Sequence, residues 1–96
     1  MSFSVADVVR AVAGRDRGKL FYVIGTDGAY LLIADGKRRP VERPKRKAEK
    51  HVCKVPLAET RIAGKLRSGE PVLNSELRRD LAAISQEISV QNQGRF

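Results

Sequence analysis

The chain is poor in the residues that usually carry chemistry: one cysteine, one histidine, one methionine and no tryptophan. A single Cys53 cannot close an internal disulfide, and Cys53 with His51 is too small a set for a structural zinc site. No nucleophile motif is present, His51 has no assignable acidic partner, and Gly14-x-x-x-Gly18-Lys19 lacks the spacing of a phosphate-cradling P-loop. The sequence therefore does not read as an enzyme, and no cofactor, metal or small-molecule substrate is expected. No run approaches the ~18 apolar residues that a membrane-spanning helix needs. The opening MSFSVADVVRAVAG has neither a basic lead-in nor an unbroken apolar stretch, so a cytoplasmic protein is expected. Aromatics are few: Phe3, Phe21, Tyr22, Tyr30 and Phe96. That leaves little material for stacking nucleobases.

Positive charge is what the sequence has in excess. The net charge is +8, with a pI near 10.3. Residues 37–54 carry nine basic side chains against two acidic ones, so nearly all of the excess lies in eighteen residues. Charge concentrated in this way attracts a polyanion, whereas the same charge scattered mainly aids solubility. Lys37, Arg38, Arg39, Arg43, Lys45, Arg46, Lys47 and Lys50, with His51, are the candidate phosphate contacts. Pro40 and Pro44 restrict the tract, which lowers the entropy lost when it lies along a backbone. A second basic element is the loop Gly14-Arg15-Asp16-Arg17-Gly18-Lys19, whose glycines let the chain approach a ligand closely. The tract has no amphipathic basic helix or lipidation motif beside it, which disfavours attachment to an anionic membrane.

The apolar pattern is that of a small β domain. Val5 to Ala13 and Lys19 to Thr26 are rich in strand formers. Asp27-Gly28 then separates two apolar runs, a strong hairpin signal. With Asp27 and Gly28 as the turn residues, Ile24 faces Leu31, Tyr22 faces Ile33 and Phe21 shares a face with Tyr30. Both faces are apolar in this register, which implies a curled sheet covered outside by another element, hence a small barrel. Asp35-Gly36 turns into a short edge strand over Lys37–Val41, which Pro40 limits. Glu42–Lys50 is too polar to bury, and His51–Val55 returns as a closing strand with Cys53 pointing inward as a small core residue. Asn74 suits a helix N-cap, and Leu77, Leu81, Ile84 and Ile88 form one stripe on the helix that follows. That stripe is expected to pack on the barrel; the competing use is a partner-binding surface.

Val8-Val9-Arg10-Ala11-Val12-Ala13-Gly14-Arg15-Asp16-Arg17-Gly18-Lys19, followed by Phe21-Tyr22-Val23-Ile24-Gly25, resembles a KOW motif: a strand, a basic glycine-containing loop and a second strand. The continuation through Ala34-Asp35-Gly36-Lys37, Val41 to Lys47 and Lys50-His51 is similar to bacterial KOW-domain RNA-binding proteins. These are related to the fourteen-e family of archaeal and eukaryotic large-subunit ribosomal proteins. The resemblance covers about residues 6–55, and the Asn74-Ser75-Glu76-Leu77-Arg78 helix start looks like the bacterial group as well. It implies a mainly β fold, a small SH3-like (KOW) β-barrel of about five strands with a C-terminal α-helix. It also implies RNA as ligand, ribosomal RNA and the large subunit foremost, with Arg15, Arg17 and Lys19 as loop contacts and the basic residues from Lys37 to His51 as backbone contacts. Cys53 departs from the family's usual Lys-His-Leu run.

The expected organisation is a barrel over 1–55 with its basic tract at 37–54, then a linker over 56–73 with room for a short helix. An amphipathic helix over 74–90 and a frayed tail over 91–96 complete it. The alternative reading is a protein-interaction module of the translation or transcription machinery, with Leu81 and Ile84 on its contact face.

Overall fold

The computed structural model describes residues 2–56 and 60–93. Five strands form one antiparallel sheet: β1 (Val8–Ala11), β2 (Leu20–Asp27), β3 (Tyr30–Ala34), β4 (Lys45–Ala48) and β5 (Val52–Lys54), in the order β4-β3-β2-β1-β5. A single 3-10 turn, Glu49–His51, joins β4 to β5. Two helices follow, α1 (Arg61–Ser68) and α2 (Asn74–Gln93). The chain is a mainly β small domain.

The sheet must curl. Laid flat, five strands would hold the edges β4 and β5 about 19 Å apart. The four Cα steps from Ala48 to Val52 span at most ~15 Å, and a 3-10 turn covers far less. Among the described residues no ladder joins β4 to β5.

Both faces of the sheet are buried, as the doubly apolar strands imply. On the concave side lie Val9, Ala11, Phe21, Val23, Leu31, Ile33 and Val52. The convex side packs Val8, Tyr22 and Ala34 against Ile62 and Ala63 of α1 and Leu77, Leu81 and Ile84 of α2. The helix stripe is therefore covered by the chain's own sheet, and Leu81 and Ile84 are not a free contact face. Fully buried Tyr22 ties the layers together, its hydroxyl meeting Thr60 Oγ1 at 2.9 Å and donating to the Asp80 carboxylate.

The hairpin register differs from the sequence reading. The turn is Gly28-Ala29, so Asp27 faces Tyr30 and Gly25 faces Leu32. Gly28 has φ +60° while Ala29 is not left-handed, which fits a turn with glycine in the first central position and not the second. A bulge between Val23 and Gly25 then shifts the pairing by one, placing Val23 opposite Ile33 and Tyr22 opposite Ala34. Tyr30 consequently shares a face with Tyr22 and not with Phe21, and it is exposed.

Two strand assignments are also corrected. Lys37–Val41 is a loop: the Asp35 carboxylate accepts hydrogen bonds from the backbone N–H of Lys37 and Arg39, both at 2.9 Å, and diverts the backbone from a ladder. The fourth strand is instead Lys45–Ala48, in the segment judged too polar to bury. Lys47 there is only 8% exposed. Cys53 is exposed: it pairs with Arg10, while Val52 takes the inward position.

The linker does hold a helix, α1, capped by Thr60, whose hydroxyl accepts from the Ala63 N–H. Leu57, assigned to that linker, lies outside the described residues. Asn74 does not cap α2. Its side chain accepts from the Val41 N–H and donates to Glu42, tying the helix to the 40–43 turn. The Glu76 carboxylate takes the Leu73 N–H at 3.0 Å, and Leu73 serves as the cap by its backbone. Helix α2 continues through residues 91–93, where fraying was expected; residues 94–96 lie outside the described residues.

Candidate nucleic-acid interface

The structure sorts the twelve predicted contact residues into inward and outward sets. In β4, Lys45 and Lys47 pair with Ile33 and Leu31, so they share the concave face, while Arg46 points away. Their burial is tolerated because each reaches a partner on the 13–16 loop. Lys47 Nζ donates to the Ala13 carbonyl at 2.9 Å, and Lys45 Nζ reaches the Asp16 carboxylate at 3.2 Å. Arg39 approaches the same carboxylate at 3.8 Å. Three residues assigned to phosphate thus fasten the basic loop across the curled sheet. Inward-pointing charge of this kind also discourages pairing at the exposed edge of β4.

Asp16 is the anchor. It is 4% exposed. Burial opposes its ionisation, but the hydrogen bond and charge of Lys45, with the charges of Arg39 and Lys19, outweigh that and hold the carboxyl below its ordinary value of 3.8. Glu42, hydrogen-bonded by Asn74, and Glu76, hydrogen-bonded by the Leu73 N–H and Lys65, are also lowered, from an ordinary 4.5. In the unfolded chain all three protonate first, so their stabilisation is complete above about pH 4.5 and is lost as pH falls through their lowered folded values. Thermal unfolding is accordingly expected to hold steady from pH 7 to about 4.5 and to drop below it. Asp16→Asn should cost about 1–2 kcal/mol at neutral pH, less than a fully buried pair because Lys45 and Arg39 remain partly solvated. It should also shrink the acid drop. A melting temperature flat down to pH 3 would count against this role.

The outward set forms the candidate interface. Arg15, Arg17 and Lys19 are exposed on the anchored loop, and Lys37 and Arg38 are exposed on the 35–39 loop. Lys19, Lys37 and Arg38 line one groove of about 620 Å³ together with Arg78 of α2, and the less exposed Leu20 and Leu81 also line it. One nitrogen of Arg78 donates to the Gly36 carbonyl at 2.6 Å, which holds its guanidinium beside the 35–38 loop. A guanidinium has five N–H donors, so this bond leaves others for a ligand.

The remaining predicted contacts lie elsewhere. Arg46 stacks over Tyr30 at 4.0 Å and pairs with Asp27 at 3.4 Å. Arg43 is exposed in the 41–43 turn. Lys50 is exposed and His51 half-buried in the 3-10 turn beside the β2–β3 tip, where the Glu49 N–H meets the Ala29 carbonyl. The tract is therefore not one continuous surface.

Sequence reasoning missed Asp16 and Arg78. A lone acid between two arginines in a basic loop is a legible sign of an internal anchor. Arg78 carried no such sign, because only helix docking brings it to the groove. Among the described residues there is no cluster of metal-ligating side chains, and no helix is long and apolar enough to cross a membrane. No protein-family model and no curated protein matches the chain.

Proposed function

We propose that this protein binds structured RNA, with large-subunit ribosomal RNA the first candidate, and that its curled sheet is an SH3-like barrel of the KOW type. The observation that carries the reading is the convergence of Lys19, Lys37, Arg38 and Arg78 on one groove, with Arg15 and Arg17 exposed on the same anchored loop. The strand order supports the barrel, since β5 returns to pair with β1 while β4 lies at the far edge.

The proposed action is binding without catalysis. Phosphates are neutralised by loop cations whose base is rigid, because Asp16, Lys45 and Lys47 fix the loop to the sheet. Counterions released from the RNA provide the driving force, independent of sequence. The test is the salt dependence of binding to a ribosomal RNA fragment. Four to six phosphate contacts predict a log-log slope of about −3 to −5. A slope near zero would refute the reading. Crosslinking in cells, with the bound RNA sequenced after sucrose-gradient fractionation, tests the ribosomal assignment.

A further inference from the structure

The groove has more in it than a phosphate contact requires. Its cations stand around an apolar floor of Leu20 and Leu81, and Ala82 and Ser85 of α2 form its helical side. A volume near 620 Å³ lies within the range of clefts that enclose a small ligand, about 300–1,000 Å³. The one acid among its described lining residues, Asp35, already accepts the N–H groups of Lys37 and Arg39, so its charge is turned into the loop.

A duplex presents its phosphates on a convex surface with the bases stacked inside, and has nothing to place on an apolar floor. An unpaired nucleotide has both an anionic phosphate and an apolar base face, and single-stranded or bulged RNA can splay such a base outward. Resting on the RNA-binding reading, we infer that the groove seats one unpaired nucleotide of the RNA. Its phosphate meets Lys19, Lys37, Arg38 and Arg78, and its base lies against Leu20 and Ala82 along α2, above the buried Leu81. The Ser85 hydroxyl, exposed on the helical wall, is a donor or acceptor for the base edge. Helix α2 is then part of the RNA site as well as a cover for the sheet.

The test compares two RNA hairpins, one perfectly paired and one with a single-nucleotide bulge, against the full chain and two groove variants. Ala82 and Ser85 are exposed helix positions outside the core, so Ala82→Trp fills the groove and Ser85→Glu adds a negative charge to it with the fold retained. Circular dichroism checks folding, and either variant alone suffices should the other fail. The expected result is a preference of about tenfold for the bulged hairpin, the effect of ~1.4 kcal/mol, which is lost in both variants. Equal affinity for the two hairpins, or a preference that survives both variants, would overturn the inference and leave the RNA-binding reading standing. Absence of salt-sensitive binding to either hairpin would overturn both.

Discussion

Gly36→Ala is expected to be the most damaging single substitution that adds only one methyl group. Gly36 has φ +78°, a conformation that costs a residue with a side chain about 1–2 kcal/mol. A Cβ there would stand 2.2 Å from the Asn74 carbonyl oxygen and 3.1 Å from Leu77 Cβ. The first of these is helix backbone, which cannot rotate away, so α2 would have to shift and Leu77, fully buried, would shift with it. Overpacking of this kind adds about 1–3 kcal/mol. The total, roughly 2–5 kcal/mol, is a large part of the 5–15 kcal/mol that holds a typical domain together. Each kcal/mol corresponds to about 4–8 °C in a domain of this size. Urea and thermal unfolding measure the loss, with Gly28→Ala as the control. Gly28 also has a positive φ but nothing within 4 Å of its Cβ position, so only the backbone strain applies. Equal losses at the two positions would refute the close-approach argument.

The second large effect concerns binding. Replacing Lys19, Lys37 and Arg38 together by glutamine is expected to reduce the magnitude of the salt slope by about 2–3. At low salt, affinity should fall about a hundredfold or more, at ~1 kcal/mol for each charge-assisted contact. Stability should change less, since among the described residues Lys19, Lys37 and Arg38 make no ion pair with an acidic side chain and only Lys19 adds its charge at a distance to Asp16. Glutamine at Arg39, Lys45 and Lys47 should do the reverse. Those side chains secure the basic loop through Asp16 and the Ala13 carbonyl, so their loss lowers the melting temperature while the outer cations stay in place. If the two triple variants weakened RNA binding equally with stability unchanged, the division of the basic tract into two sets would be wrong.

That division was hidden in the sequence for a definite reason. Charge density reports how many cations a segment holds but not which way they point. In β4 the pleat alternates Lys45 and Lys47 inward with Arg46 outward, and a lysine is an acceptable inward residue only when a carboxylate or carbonyl waits at the end of its stem. Asp16 and Ala13 lie about thirty residues away in sequence, and only the curl of the sheet brings them within reach. The hairpin slip has a similar cause. Asp27-Gly28 marks the hairpin, but the two turn residues are Gly28 and Ala29, and the bulge between Val23 and Gly25 shifts the pairing once more.

By itself the sequence determined the β content, the two faces of apolar residues, the amphipathic helix and the placement of the charge excess. Each of these follows from local composition and periodicity, which act over a few residues. Tertiary structure decided the register, the location of the fourth strand, the capping of α2 and the inward use of three cations. It also decided the meeting of Lys19, Lys37 and Arg38 with Arg78 on one groove. These depend on contacts between segments distant in the chain, where the cost of burying a charge or a strained backbone is set by the partner that folding supplies.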